Sequence, residues 1–307
     1  MGERDVPARL RRPLAVFAAL VSVVIWAVNY PATKVVYREL SPLAFTGWRL
    51  LLATAFLFAE ALVRRERLVP PPGARGLALV LALSGVGLYQ WLYALGLAST
   101  SSFSAALLNS VSPLIAMLLV VLFGWERLSP LAGAGSLVAW AGVALFVSSA
   151  GGPDFGSTAG NLMCLGAATC WAVYNVASAR AARFLSPLGT QLAAFGGGTA
   201  MVLAYTLPDM LRQDYARLSA STWAIAVLST FLPLVVAFRL WLGAVRTLGV
   251  AQAMTFGFLI PVLAGVASAI LTGERFNAQK ILSAAVVLAG LALTRIGRGA
   301  RGPVPSR

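Results

Sequence analysis

The sequence predicts an all-α membrane protein of ten transmembrane helices, arranged as two inverted five-helix repeats. Three observations predict it. The 307-residue chain is 59% hydrophobic and only 11% charged, with mean hydropathy +0.82, outside the range of water-soluble domains. Its charges collect at the ends of ten apolar stretches. Each is about 20 residues long, enough for a helix rising 1.5 Å per residue to cross roughly 30 Å of hydrocarbon. The second half of the chain also repeats the first at a nearly constant spacing.

In chain order the stretches are 14–36, 42–63, 75–97, 102–123 and 129–148, then 159–182, 187–207, 221–246, 250–271 and 278–296. The first follows Arg11-Arg12 and so resembles a secretory signal, yet it has a counterpart in 159–182, so we expect it to be retained. The second, fifth and seventh open on Ser41-Pro42, Ser129-Pro130 and Ser186-Pro187. In each, a serine can cap the helix while proline takes the first helical position, where its missing N–H has no partner to lose. Asn277 can cap the tenth stretch. Residues 149–158 form the linker, and the run from Gly151 to Gly160 has the Gly, Pro and Asp of a loop. Basic tails, 1–13 and 297–307, flank the two repeats, 14–148 and 159–296.

The repeat can be followed residue by residue. Trp26-Ala27-Val28 returns as Trp171-Ala172-Val173, and Ser41-Pro42-Leu43 as Ser186-Pro187-Leu188, at an offset of 145. Further on the offset is 148, where Pro113 matches Pro261, Glu126-Arg127 matches Glu274-Arg275 and Gly142 matches Gly290. Five is odd, so the second copy must start from the opposite side of the membrane. Inverted repeats of this kind build alternating-access carriers, with the substrate near the midplane where the halves meet.

Net charge is +14. With the N-terminus in the cytoplasm, 16 Lys and Arg lie on that side and six on the other, so the positive-inside rule puts both termini in the cytoplasm. Anionic lipid accounts for the basic tails, so membrane lipids rather than nucleic acid are the expected partners. There is no histidine, which excludes histidine relays and histidine metal ligation. Cys164 and Cys170 fall on different faces of one helix, too far apart for a disulfide, and read as packing residues. No nucleophile stands with a base and no metal-ligand cluster is visible, so neither an enzyme nor a cofactor is expected.

The runs Gly124-Trp125-Glu126-Arg127-Leu128 with Gly142, and Gly273-Glu274-Arg275-Phe276 with Gly290, carry a family likeness. On them the chain resembles the drug/metabolite transporter superfamily, of the ten-span type built from two EamA domains, over nearly its whole length. The resemblance implies a carrier of small metabolites, many relatives being exporters of amino acids and related compounds. A bacterial-type inner membrane is the expected site. Uptake of a vitamin or nucleoside-like metabolite is an alternative, and a non-transporting scaffold a remote one. Oligomeric state is left open.

Candidate substrate contacts follow from helix faces. Trp26, Asn29, Tyr30 and Thr33 share one face near mid-span, and Trp171, Tyr174, Asn175 and Ser178 repeat it. They line a cavity or pack between helices. Trp48, Trp91, Trp125, Trp223 and Trp241 stand near span ends and suit the interfacial belt. Tyr89, Gln90 and Tyr93 add aromatic and amide contacts, as do Asn109 and, beside the matching face, Gln252. Pro113 and Pro261 are hinge candidates, because each deprives a carbonyl, that of Asn109 or Gly257, of its usual donor.

Two arginines lie within spans, Arg49 and Arg239, where an unpaired buried charge costs at least about 2.5 kcal/mol. Both can snorkel to the membrane surface, or one can bind a substrate carboxylate, with Arg239 the better candidate. Glu126 and Glu274 read as structural residues at helix ends, and Glu60 as the ion-pair partner of Arg64. No acid or histidine falls at mid-membrane, so no residue for proton coupling is visible.

Overall fold

The computed structural model describes residues 8–122, 129–148, 156–249, 252–253 and 256–299. All regular structure among the described residues is helical. The first half runs through Ala8–Val36, Pro42–Val63, a third helix made of Arg75–Leu81 and Leu88–Ser99, a fourth made of Ser102–Asn109 and Ser112–Leu122, and a fifth, Pro130–Ser148. The second half runs through Thr158–Ala181, Pro187–Arg212, an eighth helix made of Ala220–Phe231 and Phe238–Leu248, a ninth ending in Leu259–Leu271, and a tenth, Ala278–Gly299.

Six of these are long and apolar enough to cross a membrane, namely the first four, the sixth and the eighth. Against the ten expected, the apolar parts of the fifth, ninth and tenth helices are shorter. The seventh has 26 residues, but Thr190, Gln191, Thr199, Thr206 and a run of glycines dilute its apolar character.

The serine caps form as expected. Ser41 accepts from the Ala44 N–H, Ser186 from Gly189, and Ser129 from Ala132. Each of two capping serines also reaches into the other half, Ser41 donating to Asp209 at 3.2 Å and Ser186 to Glu66 at 2.7 Å. Asn277 caps the tenth helix through the Lys280 N–H.

Contacts between the halves obey the repeat. Fifth helix packs on tenth and second on seventh, while third against sixth is mirrored by eighth against first. The fifth and tenth helices approach through glycine. A Cβ on Gly142 would lie 2.7 Å from the Val287 nitrogen, and one on Gly290 would lie 2.2 Å from the Ala139 nitrogen. Ala139 and Val287 are themselves separated by 148, so the two contacts are one contact used twice.

Departures from regular α-helix also come in pairs. The third and eighth helices each contain a six-residue π-helical turn, at Ala82–Gly87 and Leu232–Ala237. Such a turn swings carbonyls off the helical ladder, and away from water they need other donors. Side chains from other helices supply them. Trp26 donates to the Pro233 carbonyl at 3.2 Å, Gln191 to Leu234 at 3.1 Å, Ser22 to Ala237 at 3.0 Å, and Tyr205 to Gly87 at 3.3 Å. The fourth helix breaks at 110–111 and the ninth at 257–258, each just before its proline.

Candidate functional site

A cavity of about 70 Å³ lies at the seam of the two halves, beside one π-helical turn and both breaks. Its walls differ in character. Every Asn, Gln, Arg, Tyr and Ser on them comes from the first half: Asn29, Tyr30, Arg49, Tyr89, Gln90, Tyr93, Asn109, Ser110 and Ser112. The second half contributes Trp171, Pro233, Leu234, Phe238, Trp241, Gly257 and Ile260. Trp26 closes the seam, its ring edge-on to Trp171, Phe238 and Trp241 at centroid distances of 5.4, 6.0 and 5.2 Å. Such edge-to-face contacts fix ring positions beyond what area burial does.

On the polar wall both asparagine nitrogens are occupied and three amide oxygens are not. Asn109 donates to the hydroxyls of Tyr30 at 2.8 Å and Tyr89 at 3.3 Å, and Asn29 donates to Tyr93 at 3.4 Å. Asn29 Oδ1, Asn109 Oδ1 and Gln90 Oε1 are buried without a hydrogen-bond partner. Unmet acceptors in a dry site carry the full cost of their lost hydration. A ligand donor removes it.

Arg49 stands on the same wall and is only 2% exposed. Its Nε and Nη1 have no hydrogen-bond partner, and its guanidinium lies 5.2 Å from the Phe45 ring centre. None of the four ion pairs among the described residues includes it. Snorkelling is therefore not how this charge is satisfied.

The two arginines exchange the roles the sequence suggests. Arg239 is absent from the cavity walls; it pairs with Glu60 at 2.5 Å and donates to Gln191 at 3.3 Å. Glu60 also holds Arg64 at 2.6 Å, so the expected pair exists but is shared. The face of the second helix decides the matter. Arg49, Ala53, Leu57 and Ala61 recur every fourth residue, and all four are buried. That stripe is readable in the sequence and marks Arg49 as facing inward.

Three other candidates also lie off the walls. Tyr174 is fully buried, stacked on Trp171 at 5.1 Å within the core. Asn175 is satisfied internally, donating to the Trp171 carbonyl at 2.8 Å and accepting from Trp241 at 2.9 Å. Gln252 accepts from Arg12 at 3.4 Å, away from the cavity. Pro113 is on the wall whereas Pro261 is buried off it. The Gly257 carbonyl receives the Ile260 N–H at 3.0 Å, so it is not the free acceptor expected.

Trp241, assigned to the belt by position, is 2% exposed and lines the cavity. Trp48, Trp91 and Trp223 are partly exposed as a belt requires, and Trp125 lies outside the described residues. Pro233, Leu234 and Phe238 escaped the sequence reading, although a proline inside an apolar stretch was the available signal.

Charged side chains flank the cavity at opposite ends of the bundle, joining the halves by an ion pair at one end and by hydrogen bonds to Ser101 and Phe103 at the other. Glu60 with Arg239 is the ion pair. At the other end, Lys280 is fully buried, pairs with Glu274 at 2.6 Å and lies over the rings of Phe103 and Phe276. Glu274 also accepts from the Phe103 N–H at 3.3 Å, a structural role as anticipated. Beside it a hollow of about 440 Å³ opens between Lys34, Tyr37, Arg38 and Glu274. Among the described residues no group of three metal-binding side chains occurs.

The chain is similar to known transporters along its length. A protein of Streptantibioticus cattleyicolor named "Probable terminal-alkyne amino-acid exporter" is 28% identical, the match covering 95% of this chain and 98% of that one. A Salmonella typhimurium protein named "Probable amino-acid metabolite efflux pump" is 24% identical over 92% of this chain and 94% of its own. One crystal structure shares the fold at TM-score 0.66 and 23% identity, covering 95% of this chain and all of that one. The model of the EamA-like transporter family matches residues 13–148 and again 158–296. With both halves matched, this chain is a multi-pass membrane protein that belongs to the EamA-like transporter family.

Proposed function

We propose that the protein is a ten-span carrier of a cell inner membrane that exports small amphipathic metabolites such as amino acids. Transport proceeds by alternating access through the cavity between the two inverted repeats, with both termini in the cytoplasm. The observation that carries this reading is the division of the walls, polar in the first half and aromatic or aliphatic in the second. A solute with one polar and one apolar end satisfies both walls at once. The relatives named as exporters support it.

The Glu60–Arg239 ion pair at one end, and the bonds of Lys280 to Ser101 and of Glu274 to the Phe103 N–H at the other, give the rocking motion discrete contacts to exchange. The cavity walls hold no acid and no histidine. Proteoliposomes loaded with a mixture of radiolabelled amino acids test the proposal. Faster efflux than from protein-free vesicles is expected; equal leakage for every member of a broad metabolite panel refutes it.

A further inference from the structure

Arg49 and the three amide oxygens share one cavity, and among the described residues no side chain satisfies its Nε and Nη1 or those oxygens. Their chemistries are opposite. A guanidinium donates and carries positive charge, so what completes it is an anion, best a carboxylate that can take two parallel N–H bonds. The oxygens of Asn29, Gln90 and Asn109 accept, so what completes them is a donor. An ammonium carries three.

We infer that Arg49 is the carboxylate anchor of the cavity and that the transported solute is an α-amino zwitterion. Its carboxylate lies on Arg49, its ammonium on the amide oxygens, and its side chain against Trp171, Phe238 and Trp241. The inference rests on the carrier reading above and deepens it.

Competing accounts of Arg49 fit less well. A lipid-facing arginine would extend to the surface, but this one is 2% exposed. A purely structural arginine is illustrated by Arg239, which has both a carboxylate and an amide oxygen. The Phe45 ring covers one face of the Arg49 guanidinium yet accepts none of its in-plane N–H groups. At an offset of 145 the matching residue is Ala194, also buried, so packing of the repeat does not call for an arginine here.

Matched probes test the assignment on purified full-length protein in detergent, where bilayer leakage plays no part. L-phenylalanine and L-leucine are compared with phenethylamine and isopentylamine, which lack the carboxylate, and with 3-phenylpropanoate and 4-methylpentanoate, which lack the ammonium. Thermal stabilisation and competition against radiolabelled amino acid should rank both amino acids at least about tenfold above either set of analogues. Arg49→Gln should abolish that preference, and Arg49→Lys should retain part of it. The wild-type ranking requires no variant, so a misfolded R49Q does not shelter the inference.

Equal binding of amine and amino acid, or an unchanged ranking in a folded R49Q, overturns the anchor alone. Transport of other metabolites but of no amino acid also overturns the anchor alone, whereas failure to move any member of the broad metabolite panel overturns the carrier reading, and the anchor with it.

Discussion

Thr54 and Thr199 occupy the same position in the two halves, 145 residues apart, and their hydroxyls hydrogen-bond to each other at 2.7 Å. The bond joins a residue to its own repeat mate, so it marks where the second and seventh helices cross the axis relating the halves. Thr54→Val and Thr199→Val should each cost about 1 kcal/mol, and the double variant less than the sum, by about 0.5–1.5 kcal/mol. Unfolding midpoints of the four proteins complete the cycle. Strict additivity would remove the bond from the account.

Gly290→Ala places a methyl group 2.2 Å from the Ala139 nitrogen, and backbone cannot swing aside as a side chain can. The fifth and tenth helices must part. We expect a loss of about 1–3 kcal/mol, read as a lower unfolding midpoint and reduced yield. Gly133→Ala, with nothing within 4 Å, should be neutral or slightly stabilising.

Trp26→Ala removes the ring on which three aromatic neighbours converge, together with the donor to the Pro233 carbonyl. With Trp171→Ala it should slow amino-acid efflux by about tenfold or more at equal protein levels, about 1.4 kcal/mol of barrier. Trp48→Ala and Trp125→Ala should come close to wild type. The reverse ranking in proteoliposomes would dissociate the cavity from transport.

Arg239→Gln should lower stability and leave solute preference intact. It breaks the link to Glu60, whose Oε1 is already shared with Arg64, so the loss is about 1–2 kcal/mol after allowance for partial exposure. Melting curves together with a competition profile separate the two effects. A changed ranking of amino acid over amine would return Arg239 to the binding site.

Glu39 lies between the first and second helices and caps the eighth through Ser219, accepting its N–H at 2.8 Å and its hydroxyl at 2.9 Å. The backbone bond first, and the hydroxyl bond next, hold the Glu39 carboxyl below its ordinary value of 4.5. A depressed carboxyl stabilises fully above the ordinary value, and its contribution is lost as pH falls through the depressed one. Glu39→Gln should therefore be less stable than wild type at neutral pH and converge with it as pH drops below about 4. Melting midpoints measured from pH 7 to pH 3 check the convergence.

How far the sequence reached differs between the axis and the cavity. Helices, caps and the matched prolines obey local rules, so Ser41, Ser186, Asn277 and the breaks before Pro113 and Pro261 were readable from neighbours in the chain. Trp26, Asn29 and Tyr30 were readable because one face of the first helix carries them, and Asn109 because Pro113 marks its turn of the fourth. Tyr174 and Asn175 stand off the walls because the repeat does not extend to them, and Trp241, distant in sequence, reaches across to occupy Asn175. The small-residue stripe of the second helix marks Arg49 as facing inward, but nothing on the eighth helix announces that Glu60 satisfies Arg239, a partner that no helical periodicity reveals.

The unequal walls have a genetic consequence. Were the halves separate, identical chains meeting about the same axis, any residue added to one wall would appear on the other. An Arg49 would then face a second arginine in place of Ala194, and an Asn29 would face a second asparagine in place of Tyr174. Joining two copies in one gene frees each codon from its twin. Contacts on the axis, such as Gly142 with Val287 and Gly290 with Ala139, stay equivalent. Off the axis one copy has become the polar wall and the other the apolar one, a specialisation closed to an assembly of identical chains.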